Sequence, residues 1–108
     1  MKRGDLVTVA NSGDYGKPRP AVVVQANDVS GTQSVLVCPL TGSLAPPVPF
    51  RVRIEPDEHN GLKKQSDAMT DKLTAVLRSK CGPAFGKVSD DVLDEIELAL
   101  SFILGLAE

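Results

Sequence analysis

Tryptophan is absent from this 108-residue chain, and it has only one tyrosine and three phenylalanines, so no broad aromatic platform for stacking nucleobases can be assembled. Cysteine is as scarce. Cys38 falls in an apolar, strand-like run and Cys81 beside Gly82-Pro83, which is neither the density of a disulfide framework nor the spacing of a metal site. Cys38 reads as a small core residue. The single histidine, His59, has no second histidine, cysteine or carboxylate cluster at ligand spacing, so no metal centre is expected. Long apolar runs are missing too. Val22–Val24 and Val35–Val37 fall far short of the roughly 18 residues that read as a membrane helix. Met1-Lys2-Arg3-Gly4-Asp5 carries positive charge without the apolar core of a signal peptide behind it, and cytoplasmic residence is the expectation.

One further absence is of charge of one sign. Residues 88–108 contain six acids and no lysine or arginine, whereas all 12 basic residues lie in residues 1–87 against eight acids. The net charge of −2 therefore conceals a basic body joined to an acidic terminal segment, and a local basic groove for a polyanion stays compatible with it. A hydrophobic fraction of 42% and a charged fraction of 24% are those of an ordinary soluble protein, and the length fits one domain over 1–108.

Leu6–Ala10, Pro20–Gln25 and Gln33–Leu40 read as strands. Their nearly continuous apolar character requires cover on both faces, from a small barrel or from a second subunit. Phe50-Arg51-Val52-Arg53-Ile54 alternates, with Phe50, Val52 and Ile54 inward and Arg51 and Arg53 outward. Glu55–Gly61 is a polar turn. Leu62–Thr70 is expected as a short strand with Lys63-Lys64 near its start, and Asp71–Val76 as another strand or a helical turn. From Ser89 the apolar period becomes that of a helix: Ser89 caps, Asp90 and Asp91 occupy the first turn, and Val92, Ile96, Ala99, Leu100 and Ile103 form a stripe that Gly105 ends. The expected class is mainly β with a terminal α-helix, a small curled antiparallel sheet or barrel.

Within this frame one side chain stands out. Arg19 lies between Pro18 and Pro20, just before Ala21-Val22-Val23-Val24. The prolines hold the backbone extended, so the guanidinium is presented from a stiffened loop entering a strand, a geometry suited to a phosphate. A solvated turn arginine would read the same way. Arg51 and Arg53 are equally compatible with a solvated strand face.

Three fragments in order, Arg3-Gly4-Asp5-Leu6-Val7, Arg19-Pro20-Ala21-Val22-Val23-Val24 and Cys38-Pro39-Leu40-Thr41, resemble the MazF/PemK (Kid) family of toxin endoribonucleases. The likeness continues through Pro49-Phe50-Arg51-Val52, Gly61-Leu62-Lys63-Lys64, Thr70-Asp71-Lys72-Leu73 and Gly86-Lys87-Val88-Ser89, covering essentially the whole chain. It implies an SH3-like barrel of the MazF/CcdB kind, usually a homodimer, that cuts single-stranded RNA without metal or other cofactor and leaves a 2′,3′-cyclic phosphate and a 5′-hydroxyl. It places the family's catalytic arginine on Arg19 and its catalytic threonine on Thr41, and its fifth-strand serine on Ser66. It also implies an acidic cognate antitoxin. The loop Asn11–Lys17 departs from the family pattern, lacking the glutamate common there, which bears on RNA sequence preference.

On these terms Lys17, Arg51, Arg53, Lys63, Lys64 and Ser66 are expected to hold the RNA, and Tyr15 to stack on an unstacked base. His59, although its reference pKa suits a base, matches no family role. Two other functions share the fold: a CcdB-like poison of topoisomerase, and a non-catalytic SH3-like interaction module. Neither needs an arginine and a threonine paired on a phosphate.

Overall fold

The computed structural model describes residues 1–10 and 17–106. Among these described residues seven strands and one α-helix follow in chain order: β1 (Asp5–Val9), β2 (Arg19–Val23), β3 (Ser34–Thr41), β4 (Arg51–Ile54), β5 (Ser66–Met69), β6 (Thr74–Leu77), β7 (Gly86–Lys87) and α1 (Asp90–Ile103). Short 3-10 turns at Thr70–Lys72 and Arg78–Lys80 flank β6. All pairings are antiparallel, in the order β4-β5-β3-β2-β1-β7, with β6 added against β3. The fold is therefore mainly β, a curled antiparallel sheet with one C-terminal helix.

β3 is the hinge of this arrangement. One edge pairs with β2 over Val37–Pro39, while the other pairs first with β6 over Ser34–Val37 and then with β5 at Leu40 and Thr41. One strand thus serves two sheets, and the turn Thr70–Lys72 bridges the point where the second edge changes partner.

The apolar strands are buried on both faces within a single chain, because successive side chains point to opposite sides. Leu6, Val22, Val24, Cys38 and Leu40 join Val52, Ile54, Ala68 and Val88 in a core closed by Ile96 and Ala99 of the helix. Val7, Val9, Ala21, Val23, Val35 and Val37 form a second cluster on the opposite face, bounded by Val76 and Cys81. Burial pushes the Cys38 thiol up to about 12, in keeping with its place in the core. Both cysteines are free.

The helix begins and ends on the residues its sequence marks. Ser89 accepts the Val92 N–H, and Gly105, at φ +72°, allows Leu106 N–H and Gly105 N–H to return to the carbonyls of Ser101 and Phe102. The stripe is shorter than its sequence pattern, since Ile103 is partly exposed where the helix outruns the sheet. Arg3 ties the helix back, giving one guanidinium nitrogen to the Val24 carbonyl and another to Glu97 at 2.7 Å. No helix among the described residues is long and apolar enough to cross a membrane.

One expectation needs correction. The strand expected over Leu62–Thr70 starts only at Ser66, and Lys63-Lys64 lie in a bend before it. The cause is Asn60, which is buried: its Oδ1 accepts the Asp57 and Leu62 N–H groups and its Nδ2 donates to the Glu55 carbonyl, so this stretch satisfies its backbone locally rather than in a ladder. Asp71–Val76, read as either strand or turn, is divided between them at Leu73.

Candidate functional site

Val9 faces Arg19 across β1 and β2, and Ala21 faces Pro39 across β2 and β3. Arg19 alternates in phase with Ala21 along β2, and Thr41 with Pro39 along β3, so the two fall on the face that carries that last pair. Pro20 and Pro39, which have no N–H to offer, stand where the β2–β3 ladder stops. A cleft of about 360 Å³ opens there, and both Arg19 and Thr41 line it. Its floor is apolar, from Val9, Ala21, Val37 and Val76. Lys72 and Thr74 complete its polar wall, and no acidic side chain lines it among the described residues.

Each polar group is carried by a different element. Arg19 is the first, exposed residue of β2. Thr41 is the last residue of β3, half-buried, and its Oγ1 accepts the Ser43 N–H at 3.1 Å. That turn fixes the hydroxyl and leaves its own hydrogen to donate.

Lys72 ends the Thr70–Lys72 turn, which is anchored twice. The buried Thr70 donates both its hydroxyl and its N–H to the Phe50 carbonyl, and Asp71 accepts two hydrogen bonds from Arg51, each at 3.2 Å. Hydrogen bonding to Arg51 holds the Asp71 carboxyl below its ordinary range, and Asp71 in return raises the guanidinium.

Lys64 reaches the same region from the other side. A Cβ built on Gly42 would stand 2.7 Å from Lys64 Cε and 2.8 Å from its Nζ, so the lysine side chain lies across the backbone just after Thr41. A side chain at position 42 would displace the flexible tip of Lys64 from this place.

The remaining sequence candidates lie elsewhere. Arg51 faces Asp71 rather than the cleft, and Arg53 pairs with Asp67 at 2.5 Å. Outward strand positions do place them at the surface, but each meets a carboxylate of a neighbouring element. Ser66 is buried, its hydroxyl donating to the Lys64 carbonyl at 3.3 Å, so it does not line the cleft. Lys63 is exposed in its bend, and Lys17 is exposed two residues ahead of Arg19. Tyr15 lies outside the described residues. His59 is exposed beside Glu58 at 3.4 Å, and it lines a separate depression with Asp57, Lys87 and Ser89. Lys72 has no role in the sequence reading. It belongs to a three-residue turn with no periodic signal, and its fragment Thr70-Asp71-Lys72-Leu73 was the sole pointer.

A cleft lined by two cations, a hydroxyl donor and apolar walls suits an anion joined to an organic group. Comparison with known proteins gives the same direction. The model of the family "PemK-like, MazF-like toxin of type II toxin-antitoxin system" matches residues 2–104. A probable endoribonuclease MazF of Mycolicibacterium smegmatis is 39% identical over 108 residues, spanning 99% of each chain. In fold, the chain is similar to a mycobacterial endoribonuclease solved with its cognate antitoxin, with a TM-score of 0.82 at 22% identity over all of this chain and 98% of that one. A MazE–MazF complex of Deinococcus radiodurans superposes with a TM-score of 0.76 at 28% identity, covering 97% and 95% of the two chains.

Proposed function

The chain belongs to the PemK-like, MazF-like toxins of type II toxin-antitoxin systems, a family with endoribonuclease members, and on that basis we propose that its cleft cuts single-stranded RNA at short specific sequences. The observation that carries the reading is the position of Arg19 and Thr41, from separate strands, on the wall of one cleft.

RNA supplies its own nucleophile. The 2′-oxygen bonds to the adjacent phosphorus, the bond from phosphorus to the 5′-oxygen breaks, and the proton lost from the 2′-hydroxyl is balanced by one gained at the leaving oxygen. The products are a 2′,3′-cyclic phosphate and a 5′-hydroxyl. The protein's task is to hold attacking and leaving oxygens in line and to stabilise charge accumulating on the nonbridging oxygens. Arg19 does the second with a planar, permanently charged donor fork. A guanidinium gives up its proton with difficulty and is a poor general base, so the role proposed for Arg19 is charge stabilisation. Thr41, its oxygen already engaged by Ser43, donates its hydrogen to the phosphate and helps align the 2′-hydroxyl.

Lys72 on the cleft wall and Lys64 over Gly42 bind the flanking backbone, with Lys17 leading into Arg19. Sequence preference comes from the loop around Tyr15. The protein acts as a homodimer under the control of an acidic antitoxin. Support for the antitoxin comes from the complexes solved for similar chains, and support for the dimer from the family resemblance.

Purified protein incubated with a long single-stranded RNA in EDTA, followed by sequencing of fragment ends, tests the proposal. Cuts at a defined motif, lost in a folded Arg19→Ala variant, are expected. Intact RNA across substrates covering all short motifs would sink it, and gyrase inhibition in its place would point to the CcdB-like activity.

A further inference from the structure

Asp67 holds both ends of the segment that follows Thr41. In the sheet it is the β5 residue directly opposite Thr41, and its buried carboxylate also accepts the Ala45 N–H at 3.4 Å. Arg53, opposite Asp67 on β4, closes the arrangement. Its Nε donates to Asp67 Oδ1 at 2.5 Å, and its Nη2 reaches both Asp67 Oδ2 at 3.4 Å and the Ala45 carbonyl at 3.0 Å. Both backbone polar groups of Ala45 are therefore gripped by one ion pair, while the other end of the segment is registered by Asp67 itself.

The five residues Thr41–Ala45 include Gly42 and Ser43, so little in their own sequence restrains them. Yet Ser43 must stay in place for its N–H to orient the Thr41 hydroxyl. We propose that Arg53 is a positioning residue: through Asp67 and Ala45 it fixes this segment, and so the direction in which Thr41 offers its hydrogen. The inference rests on the role assigned above to Thr41, and it replaces the sequence reading of Arg53 as an RNA-backbone contact. Arg53's planar fork is required because a lysine ammonium, a single point, pairs with Asp67 but does not bridge to the Ala45 carbonyl in the same geometry.

The test is a double-mutant cycle on single-turnover RNA cleavage, with Arg53→Ala made alone, Thr41→Ala alone, and both together. Arg53→Ala is expected to lower the cleavage rate by about tenfold with little change in KM, because misalignment weakens the transition state more than binding. In the Thr41→Ala background the same change should alter the residual rate by less than about twofold, since coupled residues are non-additive. Hydrogen exchange at the Ala45 amide should quicken. Arg53→Lys, which keeps the charge beside Asp67, should fall between wild type and Arg53→Ala, and it serves if the alanine variant does not fold.

Equal effects of the Arg53 substitution in the two backgrounds, or no effect in either, would overturn the positioning role while leaving Thr41 catalytic. A raised KM with a shallower salt dependence would overturn it in favour of direct RNA contact. If Thr41→Ala alone left cleavage unchanged, the assignment of Thr41 would fail first, and this inference with it.

Discussion

The hydroxyl oxygen of Thr41 accepts the N–H of Ser43 at 3.1 Å, which makes the end of β3 a turn closed by its own side chain. The same oxygen carries the hydrogen assigned to the scissile phosphate. Serine keeps both functions and valine keeps neither, although valine preserves the shape. Thr41→Ser should retain cleavage within about tenfold of wild type. Thr41→Val should lose on the order of a hundredfold in kcat, the usual scale for removing one transition-state donor. Single-turnover rates on one RNA substrate decide this, and equal rates for the two variants would refute it.

Lys72 presents a point charge on the cleft wall, from a turn pinned by Thr70 and Asp71. Its removal should weaken RNA binding rather than chemistry. Lys72→Ala is expected to raise KM several-fold with kcat nearly unchanged, and to reduce the slope of log affinity against log salt by about 0.7, the value for one phosphate contact on a single strand. A salt titration of binding measures it; an unchanged slope would remove Lys72 from the RNA path.

The Arg51–Asp71 pair is partly exposed, and a pair of this kind contributes about 0.2–1 kcal/mol at most. Its pH dependence has a definite sign. Asp71 has a folded pKa below the ordinary 3.8, so its contribution is present above about pH 4 and disappears as pH falls through the folded value. Asp71→Asn should be slightly less stable than wild type at pH 7, and the two should converge as pH falls below the ordinary carboxylate range and through the lowered folded value. Denaturant midpoints over that range would show it. A difference that persists at low pH would mean that packing, and not the charge, links Asp71 to Arg51.

Ile96 is fully buried where the helix meets the sheet. Truncation to alanine should cost about 2–5 kcal/mol, by the usual combination of lost transfer energy and residual cavity. Chemical denaturation of the folded variant gives the value. A cost below about 1 kcal/mol would mean that the helix does not close this core.

Much of this protein is legible one residue at a time. The first three strands follow from short apolar runs and the fourth from alternating arginines and apolar residues, with turn residues between them, because side-chain alternation along a strand is a local property of the backbone. The helix start at Ser89 and stop at Gly105 are likewise local, set by a hydroxyl within reach of the Val92 N–H and by a residue that tolerates positive φ. The prolines around Arg19 and the position of Thr41 at a strand end are also written in the chain, and with them the family likeness.

What the linear pattern leaves open is who faces whom. Arg51 and Arg53 have the alternation of any solvated strand face, and only the registers of β4 and β5 with the turn beyond them bring Asp71 and Asp67 to those two side chains. Lys72 enters the cleft because a 3-10 turn, whose anchor Thr70 bonds to a carbonyl 20 residues away, aims it there. Ser66 is withdrawn from the cleft by the burial of β5. Propensity, capping and alternation act over a few residues and are therefore determined by the sequence alone. Cross-strand partnership, and with it the meeting of Arg19 and Thr41 on one wall, depends on how β3 divides its edges among three neighbours, which is settled only when the whole sheet curls.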